Sequence, residues 1–484
     1  MAYHRGAMKA LTKYEQSRTR EKTVRNTSEK RLLPFVSVLA VSLLGSFTWV
    51  AQPAFAAWTI GDPIVTYWAG PGEFEGPLTA TDAALMADVG MNVVWANSPA
   101  EVDIAGQYGL RAMYENRCVL TPANAGPGLN SLVDSLKNNP ALYGYFLSDE
   151  PSASEFNALS SLASYLRNRD PNHIPYINLF PRQAWSSTLG ASNYQAYLNQ
   201  YITTLNPELL SYDNYQFMAS EDSGHYLINL QEISAAAKSA GIPFMNSVQA
   251  SSWDSSVRVP TPNQERFLAY TTLAYGAQGI SYFVWNRPGV TGGIVNSDDT
   301  PTAIYSTLKV VNRQFVAIAK QYKSLNAIGT YLKGYRSSRL PPGTNQLTTT
   351  SPFDISSVTN TASYATGAAL QGVLFGFFDK DGTTLADATM ALVVNLDYSN
   401  SKTYTLTGPG LLSVFDATTG VWNATGKSSV ALTFEPGGGW LVGLTSVVPE
   451  PSAIVLLSIG LTGLFAYRFT ARSWCASAIP HRRS

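Results

Sequence analysis

From Pro63 to Asn286 the chain repeats one hydrophobic pattern: a short apolar run, a polar or aromatic tip, then a stretch with helical spacing. The apolar runs predict strands at Ile64–Trp68, Asn92–Trp95, Arg111–Glu115, Leu142–Leu147, Pro175–Leu179, Leu209–Asp213, Pro243–Val248 and Ile280–Trp285. Helix signals lie between them. Ser152 with Glu155, and Thr261 with Gln264, have capping-box spacing, and Pro262 suits a first helical turn. Gly90 and Gly241 stand just before strands, where a preceding helix should end. Eight β/α units in this length predict an α/β fold of the (β/α)8 TIM-barrel kind. A doubly wound sheet is the alternative, but Pro71-Gly72-Glu73 follows the first strand with no Gly-rich phosphate turn.

After a last predicted helix at Ala303–Tyr322 the texture changes. Residues 345–446 are rich in Thr, Ser and Gly, with strand-like runs such as VLFGFF, ALVVNLD, KTYTLT, LLSVFD and VALTF, and a hairpin signal at Asp381-Gly382. This predicts a C-terminal β-sandwich accessory domain. The expected boundaries are 58–330 for the barrel and 331–446 for the sandwich.

The ends read as addresses. Residues 1–56 combine a long basic leader, an apolar run from Leu32 to about Val50 and the small-x-small motif Ala54-Phe55-Ala56, as in a secretory signal peptide. Residues 447–484 carry Val448-Pro449-Glu450-Pro451-Ser452, the short apolar run AIVLLSIGLTGLFAY, then Arg468 and Arg472. An ordinary C-terminal anchor is one reading of that tail. Its order also resembles the PEP-CTERM sorting signal of Gram-negative bacteria. That resemblance implies a short transmembrane helix, transient membrane anchoring, an exosortase-type protease as partner, and delivery to the cell surface or its polysaccharide matrix.

The address segments mask the charge of the body. The whole chain has 33 basic and 33 acidic residues; the leader holds nine and three of them, the tail after Pro451 four and none. The remainder has 20 basic and 30 acidic residues, net about −10. That sign excludes a nucleic-acid binder and disfavours a strongly anionic polysaccharide. Cys118 and Cys475 are the only cysteines, and there are four His, with no CxxC or HExxH. No disulfide, metal site or cofactor is expected.

Chemistry is expected where the strands end. Trp68, Trp95 and Trp285 close strands one, two and eight, and Trp185 and Trp253 follow strands five and seven. Flat aromatic faces suit sugar rings. Asn97, Asn178, Asn214, Gln249 and Asn286 supply neutral hydrogen-bonding groups beside them, with Tyr215 just after strand six. Strand four runs straight into Asp149 and Glu150. An acid among apolar rings and beside a second acid keeps its proton longer than usual, so Glu150 can serve as a general acid. A plain helix-capping role is the competing reading, weakened because Ser152 already fills the cap.

Asp149-Glu150-Pro151 resembles the Asn-Glu-Pro signature of the large TIM-barrel glycoside hydrolase clan, in which the strand-four Glu is the acid/base. Asp170-Pro171-Asn172-His173-Ile174-Pro175, Tyr212-Asp213-Asn214-Tyr215 and Leu273-Ala274-Tyr275-Gly276-Ala277 are also similar to that superfamily. So are Val394-Asn395-Leu396-Asp397 and Gly437-Gly438-Gly439-Trp440 in the sandwich. The resemblance implies a glycoside hydrolase acting on a polysaccharide or oligosaccharide. It departs at strand seven, where the clan has a nucleophilic Glu and this chain has Gln249. Three explanations stand. Asp213 is the second carboxylate, across a gap wide enough for water. Or Glu115 is, at shorter range. Or catalysis is lost and the barrel is a non-catalytic glycan-binding or matrix protein.

Overall fold

The computed structural model describes residues 58–448 apart from Phe74 and Thr349. The expected signal peptide and sorting tail lie outside the described residues. Among the described residues no helix is long and apolar enough to cross a membrane.

The eight expected strands are present as β1 (Ile64–Trp68), β2 (Val93–Ala96), β3 (Arg111–Tyr114), β4 (Leu142–Asp149), β5 (Ile174–Asn178), β6 (Leu210–Asp213), β7 (Phe244–Gln249) and β8 (Gly279–Phe283). They pair in parallel as two four-stranded sheets, β2-β3-β4-β5 and β1-β8-β7-β6. Regular pairing does not close the ring. The sheets meet instead at two thin seams. At one, the Asn92 N–H donates to Val65 O (3.1 Å), and its side chain bonds Val65 N and Pro63 O. At the other, Leu179 N–H donates to Ser211 O (2.8 Å).

Helices follow the strands, and their starts are written in the sequence. Helix α1 (Ala80–Asp88) has a Thr79–Asp82 capping box, and α2 (Pro99–Gln107) is capped by Ser98 with proline in its first turn. After β4, a turn of 3-10 helix at Ala153–Glu155 carries the Ser152–Glu155 box and leads into Phe156–Arg169. Pro262–Ala274 begins at the Thr261–Gln264 box. Each box satisfies two backbone N–H groups that the helix cannot.

The β-domain begins earlier than expected. Its first long strand, Asn326–Lys333, belongs to a seven-stranded sheet with Asn345–Gln346, Val373–Asp379, Met390–Asn395, Gly439–Leu444, Leu412–Asp416 and Val421–Ala424. A three-stranded sheet, including Lys402–Thr407 and Ser429–Phe434, covers one face of it. Phe353, Phe375, Phe377 and Phe434 fill the space between. The other face, with Leu374, Phe378, Leu392 and Leu441, joins the main core. There Tyr322 stacks on Phe378 at 4.4 Å. Asp381-Gly382 does not form a tight hairpin; it opens a loop that includes a helical turn at Leu385–Asp387.

Candidate active site

The inner faces of the strands set the site. Thr66, Trp95, Met113, Tyr176, Leu209 and Met245 line a small void between the two sheets. Side chains two or four residues further along a strand face the same way. That rule sends Trp68, Glu115, Asn178 and Asp213 to one mouth at the C-terminal ends.

Glu150 arrives there by a distorted route. The β4–β5 register shifts between Phe146 and Ser148. One residue past the strand, Glu150 has φ +46°. That left-handed conformation is uncommon for a side-chain-bearing residue, and the following Pro151 further narrows what its neighbour can adopt. Such a backbone costs on the order of 1–3 kcal/mol and persists only where surrounding bonds impose it. Here Glu150 N–H donates to Asn178 O at 2.8 Å.

Asn178 organises the acids. Its Nδ2 donates to Asp149 Oδ1 (3.2 Å) and Asp213 Oδ1 (3.0 Å), and its Oδ1 accepts from Ser211 Oγ (2.9 Å). Glu150 and Asp213 are hydrogen-bonded to each other. Two carboxyl groups in direct contact require a proton between them. Burial, then Asp213 and Asp149, push the Glu150 carboxyl well above the ordinary range. Burial, then Asp149, raises Asp213 too. Asp149 is open to solvent at the floor of the mouth, yet the surrounding protein pushes its carboxyl up to about 6, against the pull of Asn178 and Arg117. The wide Glu150–Asp213 gap expected from strand order is absent, because both side chains converge over Asn178 on the intervening strand.

A second acid group adjoins the first. Glu115, just past β3, pairs through Oε1 with Arg117 Nε. Arg117 also reaches Glu73 Oε1 (3.4 Å) and lies 5.0 Å over the Phe146 ring. The Glu73 side chain is fully buried and accepts Ala69 N–H through Oε2. Burial raises both Glu73 and Glu115, with Arg117 opposing. Sequence reasoning missed Glu73 and Arg117. Gly72 was the available signal for Glu73: at φ +81° a Cβ there would sit 2.0 Å from Trp95 O, so glycine lets this loop press onto the end of β2.

The tryptophans divide. Trp95 and Trp285 are core residues, 2% and 0% exposed, and Trp68 is 6% exposed. Trp95 packs edge-on against Trp68 (5.1 Å) and Phe146 (5.3 Å) and donates Nε1–H to Tyr67 O. Ile294 N–H donates to Trp285 O, so the loop after β8 folds over that residue. None of the three presents the open platform expected of it. Tyr215, Trp253 and Phe283 form a half-buried aromatic cluster, with ring centroids 4.6–5.5 Å apart. Asp213, Glu150 and Asp149 all raise the Tyr215 hydroxyl, after burial, which puts this trio beside the acids. Phe283 was also missed, although alternation along β8 marks it as inward.

The amides mostly serve the protein itself. Gln249 is fully buried: Oε1 accepts from Phe217 N, and Nε2 donates to the carbonyls of Phe217, Ser251 and Arg258. It has no group left for a ligand. Asn178 is committed to the carboxylates, and buried Asn214 donates to Gln183 and Asn229. Asn286 bonds Asn296 O at 3.4 Å, while Asn97 is exposed on the rim.

No protein-family model matches the chain, and no curated protein matches its sequence. Similarity to solved structures exists. A glycoside hydrolase of family 5 from Bacteroides vulgatus aligns with TM-score 0.47 and 13% identity, over 82% of this chain and 98% of that one. A catalytic mutant of a family 42 β-galactosidase from G. stearothermophilus aligns with TM-score 0.49 and 8% identity, over 79% and 98%. A β-galactosidase from the psychrophilic Marinomonas ef1 aligns with TM-score 0.39 and 9% identity, over 53% of this chain. The chain spans 60% of that enzyme's length.

Proposed function

We propose that the chain is an exported glycoside hydrolase whose two parallel sheets form a (β/α)8 barrel with its working face at the mouth around Glu150. One observation carries the reading: a strained Glu150 hydrogen-bonded to Asp213, within the electrostatic reach of a half-buried aromatic trio. Glu150 gives its proton to the glycosidic oxygen as the C–O bond breaks. Water adds to the anomeric carbon, and Asp149, the ionised carboxylate open to the cleft, takes the water's proton. Asp213 is a positioning residue that keeps Glu150 protonated. Tyr215, Trp253 and Phe283 hold the sugar. The terminal segments direct export, exosortase-type processing and retention at the surface or in its polysaccharide matrix.

Glu150→Gln keeps size and hydrogen bonding but removes the transferable proton. Release of reducing ends should fall by about 10²–10⁴-fold, with glycan affinity nearly unchanged. An activated aryl glycoside, which needs less protonation, should lose less. A non-catalytic glycan-binding role is the second reading. It is favoured by Gln249, committed to backbone groups at strand seven, and by the Glu150–Asp213 hydrogen bond, since an inverting pair needs its carboxyl groups far enough apart to admit a water. If wild type and Glu150→Gln bind the same glycans and neither releases reducing ends, that second reading replaces the first.

A further inference from the structure

Glu115 is 4% exposed, and its Oε2 has no hydrogen-bond partner although Oε1 is paired with Arg117. A buried carboxylate oxygen without a donor is costly, so such an atom marks a place where a donor belongs. It does not point into the core. Met113, two residues earlier, faces the void between the sheets, so Glu115 faces the mouth above it.

The charge around it is one-sided. Glu73, Glu115, Asp149, Glu150 and Asp213 act on one another electrostatically across the mouth, and Arg117 is the cation in their midst. Even with several of these acids holding protons, carboxyl groups outnumber the guanidinium five to one. Arg182 and Arg287, on neighbouring loops, already face Glu232 and Glu75. An anionic sugar is repelled by such a mouth. A sugar hydroxyl can donate to Oε2 but leaves the charge unmatched. Among the described residues no three His, Cys, Asp or Glu side chains are disposed to hold a metal ion. An ammonium group has three donors on one compact charge and suits separate carboxylate oxygens. The net negative body would draw a cationic polymer towards the mouth.

We infer that the mouth takes a glycan bearing free amino groups, a de-N-acetylated hexosamine chain, with an ammonium of the substrate donating to Glu115 Oε2 beside Asp149. This rests on the glycosidase reading above and narrows its substrate class.

The test is calorimetric titration of the full chain with three probes at about pH 7, where Asp149 is mostly ionised and an amino sugar still keeps a protonated fraction. The probes are the glucosamine tetramer, the N-acetylglucosamine tetramer and cellotetraose. The glucosamine tetramer should bind about 10–100-fold tighter than cellotetraose, as expected for a charge-assisted hydrogen bond. The margin should shrink as salt is raised. Glu115→Gln should bring the ratio to within about threefold, the rest of a charge-assisted gain being lost with the charge. Asp149→Asn, read by the same ratio, serves if Glu115→Gln does not fold. Equal affinity for the amino and neutral tetramers overturns the inference and leaves the glycosidase reading standing. So does a ratio unchanged in the variants. Failure of all three probes, and of a wider glycan panel, removes the glycosidase reading and this inference with it.

Discussion

Gln249→Ala separates a structural amide from a substrate-binding one. The Gln249 amide accepts from Phe217 N at 2.9 Å and donates to Phe217 O (3.1 Å), Ser251 O (3.2 Å) and Arg258 O (2.6 Å). Its two N–H protons are shared over three carbonyls, so the cluster amounts to about three full bonds. Each contributes about 1 kcal/mol net, and the orphaned Phe217 N–H, buried with its residue, adds about 1–3 kcal/mol. Gln249→Ala should therefore destabilise the protein by about 4–6 kcal/mol, a large part of a typical total of about 5–15 kcal/mol. Urea unfolding reads this as a lower midpoint at constant slope. Gln249→Glu is the sharper variant. A carboxylate can still accept from Phe217 N, but its second oxygen would face three carbonyls with nothing to donate. It should be destabilised comparably, and hydrolysis should not rise. A Gln249→Glu protein of wild-type stability that cleaves glycan faster would refute this account, because position 249 would then face substrate.

The buried and open tryptophans should respond differently. Trp253→Ala should weaken glycan binding by about 0.5–1.5 kcal/mol with little change in stability. Trp95→Ala should cost about 3–5 kcal/mol of stability by leaving a core cavity, and the reverse pattern in titration and urea melts would place the sugar at Trp95. Glu265 offers a pH test, because it is fully buried, both its oxygens lack partners, and burial raises its carboxyl well above the ordinary range. Such a raised group favours folding fully below the unfolded pKa of about 4.3, and that contribution is lost as pH rises through the folded value. Glu265→Gln should match wild type near pH 4 and exceed it by about 1–3 kcal/mol at neutral pH; identical Tm–pH curves would contradict the assignment.

The eight parallel strands were legible because each is an apolar run bounded by turn residues, and buried parallel strands read that way. The β-domain was legible in part. Lys402–Thr407 alternates because one of its faces meets solvent. Val373–Asp379 is almost continuously apolar because its sheet lies between the helices of the parallel-strand domain and a second sheet. Asn326–Lys333 is mostly half-buried, with weak patterning, and so escaped notice as the start of that domain. The tryptophans show where a one-dimensional pattern stops. Trp95 and Trp253 both stand at or just past strand ends, yet Trp95 turns into the space between the sheets against Trp68 and Phe146 while Trp253 stays half-buried. Nothing local to Trp95 reveals that Gly72 brings the first loop down onto its carbonyl.

The acid pair shows the opposite balance. An apolar strand running into Asp149 and Glu150 was a conflict visible in the sequence, and such conflicts concentrate at functional sites. The structure does not relieve it. It sets Asp213 against Glu150, adds Glu115 and Glu73 behind Asp149, and puts Glu150 in a backbone conformation that a residue before proline resists. A helix cap needs none of this, since Ser152 and Glu155 already form one. Stability alone would be better served by fewer acids and an unstrained turn. Asn178 bonds Asp149 and Asp213 through one nitrogen and fixes Glu150 through its backbone carbonyl. All three acids thus depend on the pairing of β5 with β4 and on its thin seam to β6. A site held across that seam is placed by the whole fold, and for that reason its partners could not be named from any single stretch of sequence.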